Sequence, residues 1–99
     1  MSRFLIVVRA ICKESTNVKE IRDELEKEVA DRFNILDRKV YVGNVIKYKR
    51  YTSENYELMT TLYVRSTDAD VAARVLFNVI DLFAEKDFII LDFNITKIT

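Results

Sequence analysis

Residues 4–8 read Phe-Leu-Ile-Val-Val, an unbroken apolar run near the start of a 99-residue chain. Four of these five are β-branched or aromatic, which suits a pleated surface and costs rotamer freedom in a helix. A run that is apolar at both alternating positions belongs inside a sheet, paired on either side, and not at an exposed edge. The stretch from Arg3 to Cys12 is therefore expected to be a central strand.

Lys13 to Asn17 is a polar connection rich in helix-capping residues. Asn17 followed by Glu20 has the spacing of a capping box, with Asn in place of the usual Ser or Thr. Val18, Ile21, Leu25, Val29 and Phe33 then recur at three and four residues, one apolar stripe on a helix of about four turns. Asp23 with Lys27 and Glu28 with Arg32 are favourable pairs on its wet side. Residues 39–51 read as strand, Thr52 to Asn55 as a turn, and Tyr56 to Arg65 as a second strand in which Leu58, Leu62 and Val64 alternate with polar or mixed residues. Gly43-Asn44 is compatible with a two-residue hairpin turn. A long strand with a local bulge is preferred, because the parity of Val42 and Ile46 continues across it.

Ser66-Thr67-Asp68 supplies the next helix start, with Asp68 and Asp70 complementing the positive end of the helix dipole. Two apolar rows follow, Val71, Val75, Val79 with Leu82, and Ala72, Leu76, Ile80 with Phe83. This stripe is wider than the first, so this helix is expected to be the more deeply buried. In the last element, Phe88 to Ile98, Ile89, Leu91, Phe93 and Ile95 are expected on one face and Asp92, Asn94 and Thr96 on the other.

The order is strand, helix, strand, strand, helix, strand. With short links and right-handed crossovers this is the signature of a single α+β domain, residues 1–99, with a ferredoxin-like βαββαβ sandwich. Four antiparallel strands in the order 4-1-3-2 would carry both helices on one face. The opening strand would then lie centrally.

Composition narrows the function. Histidine is absent and there is one cysteine, which removes the commonest general base and a clustered zinc site, and rules out an internal disulfide. Cys12 is expected to be a small buried hydrophobe. With a single glycine, no phosphate-cradling loop can be built. Asp81, Glu85 and Asp87 fit a solvated helix end better than a catalytic carboxylate cluster. No apolar run approaches the roughly 18–20 residues that span a bilayer, and nothing marks the chain for export. A non-catalytic intracellular protein is expected, with no metal and no cofactor. Many ion-forming residues and no glutamine suit a hot environment, although the missing prolines do not follow that pattern.

Two families that share this element order differ from the chain at their functional residues. RNA-recognition motifs carry a glycine-containing aromatic consensus on the third strand. Tyr56-Glu-Leu-Met-Thr-Thr-Leu-Tyr-Val-Arg65 lacks both the glycines and the aromatic alternation. Acylphosphatases have a Gly-rich, Arg-ending loop after the first strand, where this chain has Lys13-Glu-Ser-Thr-Asn17. In its Met-initiated 99-residue length, its Ile/Val/Lys/Glu/Tyr-rich makeup and its Arg3-Phe-Leu-Ile-Val-Val8 opening, the chain resembles small uncharacterised proteins of archaeal filamentous viruses from hot acidic springs. That resemblance implies an intracellular protein of an infected thermophile. It implies no activity and no functional residues.

Charge is distributed unevenly within a net of zero. Residues 38–51 hold Arg38, Lys39, Lys47, Lys49 and Arg50 with no acid, interleaved with Tyr41, Tyr48 and Tyr51. Basic residues among aromatics can track phosphates and stack bases, so Arg38, Lys39, Lys47, Tyr48, Lys49, Arg50 and Tyr51 are candidate nucleic-acid contacts. The competing reading is an edge strand protected by lysines. The favoured function is homodimerisation through the sheet face opposite the helices. That face is expected to carry Leu5, Val7, Ile11, Met59, Tyr63, Phe88 and Ile90 within a rim of Arg3, Arg9, Lys47, Lys49 and Asp92. Such a patch exceeds what a soluble monomer usually leaves wet, and a second copy presents the same patch under two-fold symmetry.

Overall fold

The computed structural model describes residues 1–99. Strand β1 (Ser2–Lys13) leads into a first helical rod made of α1 (Val18–Leu25), a π-helical segment (Glu26–Ala30) and α2 (Asp31–Phe33). Strands β2 (Lys39–Arg50) and β3 (Asn55–Ser66), helix α3 (Ala69–Glu85) and strand β4 (Ile89–Lys97) follow. The result is an α+β domain with one four-stranded sheet in the order β2-β3-β1-β4, every neighbouring pair antiparallel. β1 lies between two partners, as its apolar run required. The long strands draw the molecule out to 44 × 23 × 18 Å. No helix is long and apolar enough to cross a membrane.

The alternation of β1 sorts its side chains. Phe4, Ile6, Val8, Ala10 and Cys12 are buried under the helices, while Leu5, Val7 and Ile11 on the other face are only half-buried. The first rod contributes Ile21, Leu25, Val29 and Ala30 to the core, and α3 contributes seven buried residues, Phe83 the largest of them. The wider stripe of α3 is thus the more deeply buried, as its two apolar rows predicted. Asn17 caps α1 by accepting from the Lys19 and Glu20 amides at 3.0 and 3.3 Å. The rod is not one regular helix. The Asp31 amide reaches back to the Glu26 carbonyl, a five-residue step, and the widened turn brings Ala30 into the core beside Val29.

Asp68 starts α3 by accepting from the Asp70 amide at 2.9 Å. The helix ends in a Schellman turn, with the Phe88 amide on the Phe83 carbonyl and the Asp87 amide on the Ala84 carbonyl, each at 3.0 Å. Asp87 occupies the left-handed position of that turn, with φ of 60°.

Three register shifts decide which residues face which way. In β2 the first falls between Val42 and Val45, so Gly43-Asn44 is a bulge within one continuous strand and not a hairpin turn. A Cβ on Gly43 would stand 2.5 Å from Thr61 Oγ1 and 3.1 Å from the Thr61 carbonyl. Only glycine fits so close to the neighbouring strand. The second shift leaves Tyr48 out between Lys47 and Lys49. The third, in β4, lies between Asp92, opposite Arg9, and Ile90, opposite Ala10. It corrects the uninterrupted alternation expected for that strand. Phe93 and Ile95 pair with Val8 and Ile6 on the helix side, and Ile89 pairs with Ile11 on the other.

Candidate binding surface

The helices cover one face of the sheet and leave the other open. Cross-strand partners share a face, so the registers arrange the open face in rows from β4 to β2. Arg3, Arg65 and Lys39 form the first. Thr96, Leu5, Tyr63 and Tyr41 form the second. Asn94, Val7 and Thr61 meet the Gly43 bulge in the third. The fourth is Asp92, Arg9, Met59 and Ile46, and the fifth Ile89, Ile11, Glu57 and Lys49.

Of the seven residues expected at an interface here, Leu5, Val7, Ile11, Met59 and Tyr63 lie on the open face. Phe88 and Ile90 do not. The β4 shift sets Ile90 opposite Ala10 on the helix side, and the Phe88 ring packs edge-on to Phe83 at 5.3 Å between centroids. Within the expected rim Arg3, Arg9, Lys49 and Asp92 are on the open side. Lys47 is not, because it pairs with Leu58. Tyr41, Ile46 and Ile89 belong to the open face and were not anticipated. Ile46 and Ile89 are brought there by the bulges, which leave no clear trace in the alternation, whereas Tyr41 precedes the first shift and alternates directly with Val40 and Val42.

The middle of the face holds an ionic network. Arg9 donates to both Glu57 and Asp92, and Lys49 Nζ lies 3.8 Å from the second Glu57 oxygen, which has no hydrogen-bond partner. The bond to Glu57, opposed by desolvation and reinforced by Asp92, raises the guanidinium pKa above its ordinary value. Glu57 is 1% exposed although no helix covers it.

The basic stretch 38–51 is spent largely on its own neighbours. Lys47 donates to the Glu14 carbonyl and sits 5.6 Å from the Tyr56 ring. Arg50 donates to the Ser53 carbonyl at 2.9 Å and to the Tyr56 hydroxyl at 2.7 Å, pairs with Glu14 at 3.4 Å, and covers the Tyr56 ring at 4.7 Å. Lys49 lies over Tyr48 at 5.6 Å, and Tyr48 and Tyr51 are exposed. Arg38 precedes β2 in the connecting loop. The seven candidate nucleic-acid contacts therefore do not form one surface. Lys39 belongs with Arg3 and Arg65 at the far end of the open face, away from Lys47 and Arg50. Cys12 is buried on the helix side, and no group of three His, Cys, Asp or Glu side chains is placed to hold a metal.

No family model matches the sequence, and no curated protein matches it. Among solved structures, a de novo designed protein, Foldit4, aligns over 98% of this chain and 97% of its own, at 15% identity and a TM-score of 0.58. AtUAH, solved in complex with glyoxylate, aligns over 97% of this chain at 12% identity and a TM-score of 0.62. A tripeptidase from Staphylococcus aureus aligns over 97% of it at 11% identity and a TM-score of 0.55. The chain spans 27% of AtUAH and 29% of the tripeptidase. At such identities the likeness is one of fold alone.

Proposed function

We propose that this chain works by association and not by turnover, as a homodimer whose subunits join edge to edge along β4. The observation that carries this reading is the unequal treatment of the two sheet edges. β2 is interrupted by two register shifts and carries Lys39, Lys47, Lys49 and Arg50. Bulges and cations are how edge strands are kept from pairing. β4 has a single shift, at Leu91, and from Asp92 to Thr96 it pairs with β1 without a shift and carries no cation. Phe93 on it is 51% exposed.

A two-fold axis at Asn94 would pair Phe93 with the partner's Ile95 on the helix side, and Asp92 with the partner's Thr96 on the open side. No like charges meet in that register. The open face is less suited to a dimer, because burying it would strip water from the Arg9 network and from the Asn94 and Thr61 row. A non-catalytic role is supported by the absence of histidine. A ferredoxin-like class is supported by the element order and by the strand order, which from the other edge reads β4-β1-β3-β2.

Light scattering coupled to size exclusion at micromolar concentration tests the reading. The expected mass is that of two chains. Phe93→Lys with Asn94→Lys, both exposed positions, is expected to give a folded monomer, and Val7→Asp on the open face to leave the dimer standing. A wild-type monomer, or a dimer split by Val7→Asp but not by the β4 pair, would overturn it.

A further inference from the structure

Arg3, Arg65 and Lys39 stand directly opposite one another on β1, β3 and β2. Neighbouring strands are about 4.7–4.9 Å apart, so the backbone positions of the three residues span about 10 Å. All three are exposed, and none makes a salt bridge or a side-chain hydrogen bond. Like charges directly opposite on a sheet are destabilising. Elsewhere on the same face the protein avoids that cost, since Arg9 holds two carboxylates and Lys49 lies near one of them. Of the rows on this face that carry cations, only the end row has no acidic side chain.

The adjoining row presents two aromatics. Tyr41 and Tyr63 are cross-strand partners, 57% and 45% exposed. Tyr63 Cε2 lies 3.0 Å from the position a Gly43 Cβ would take, so the ring lies along the sheet over the bulge instead of standing off it. Arg3, Tyr41, Tyr63 and Arg65 line a common hollow at this end. A row of unneutralised cations beside a pair of exposed aromatic rings calls for a ligand that is anionic along one edge and planar along the other.

We infer that this end of the open face binds single-stranded nucleic acid, with phosphates on Arg3, Arg65 and Lys39 and bases stacked on Tyr41 and Tyr63. A duplex keeps its base faces inside its own stack and cannot use the tyrosines, whereas an unpaired strand can use both features at once. The site lies within one subunit and differs from the Lys47–Tyr51 stretch, whose cations already have partners. It does not depend on how subunits associate.

Fluorescence anisotropy with labelled oligo-dT and oligo-rU of about twenty nucleotides tests it. Three phosphate contacts at about 0.7 each predict a log–log salt slope near −2. Arg3→Ser with Arg65→Ser is expected to weaken binding about tenfold or more and to flatten that slope. Tyr41→Ala and Tyr63→Ala are each expected to cost roughly fivefold or more, the lower end of one lost stacking contact. Tyr41 is exposed, so its removal leaves the fold intact, as circular dichroism would verify. Lys47→Glu is expected to leave affinity within about twofold. No binding of either oligomer at low salt would overturn the assignment. So would tyrosine variants that bind like wild type, or a duplex that binds as tightly as the single strands.

Discussion

Glu57 of β3 and Arg9 of β1 are ion-paired on the uncovered face of the sheet, and the Glu57 side chain is only 2% exposed there. A carboxylate so enclosed is tolerable because it is paired, and removing one partner leaves the other uncompensated. Arg9→Met and Glu57→Leu are each expected to lower the melting temperature. The double variant is expected to recover most of the loss, since both charges are then gone. A double variant no better than the worse single one would show that the pair contributes packing and not charge compensation.

Gly43→Ala tests the β2 bulge. The added methyl would collide with Thr61 Oγ1, which is held in place by accepting from the Asn44 amide at 2.7 Å, and with the Thr61 carbonyl. Neither is the free end of a flexible side chain, so the strands must separate. The expected cost is about 1–3 kcal/mol, read as a lower urea midpoint. The same substitution displaces the Tyr63 ring, so a change in tyrosine fluorescence is expected to accompany it.

Asp87→Gly tests the end of α3. A residue with a Cβ pays to hold the left-handed conformation of Asp87, and glycine is the residue helices most often place there. The variant is expected to gain up to about 1 kcal/mol. Asp87→Val, whose branched side chain fits that region worst, is expected to lose stability. Thermal unfolding of the two variants beside wild type measures both.

Cys12 predicts a pH dependence. Burial pushes its thiol above the ordinary value of 9.0, while a hydrogen bond with Thr16 and the charge of Lys47 pull the other way. In the unfolded chain the thiol ionises first, so above about pH 9 the native state binds more protons than the unfolded one. Stability then falls as pH rises. Urea midpoints taken between about pH 7 and 10 are expected to decline more steeply for wild type than for Cys12→Ala. Parallel declines would show that the thiol is not linked to unfolding. In the native state at neutral pH the thiol is expected to react slowly with alkylating reagents and quickly once unfolded.

Local chemistry specifies the elements of this protein without reference to tertiary contacts. The apolar run from Phe4 to Val8 specified a strand paired on both sides, Asn17 and Asp68 specified two helix starts, and the stripes at three and four residues specified which helix faces would be buried. The parity that put Leu5, Val7 and Ile11 on the face away from the helices was legible for the same reason: side chains on an unbroken strand alternate with a period of two.

That period also marks where sequence reading stopped, because one extra residue reverses every face beyond it. The shifts at Gly43-Asn44, Tyr48 and Leu91 arise from pairing between strands distant in sequence. They moved Lys47 and Ile90 to the helix side and brought Ile46 and Ile89 to the open one. The candidate nucleic-acid surface shows the same division. Tyr41 and Lys39 lie within the basic stretch 38–51, but Arg3 and Arg65 lie at opposite ends of two other strands. Only the antiparallel register of β1, β3 and β2 sets these three cations side by side. The burial of Glu57 is likewise tertiary, since its enclosure comes from cross-strand neighbours such as Arg9 and Lys49, and no local pattern encodes it.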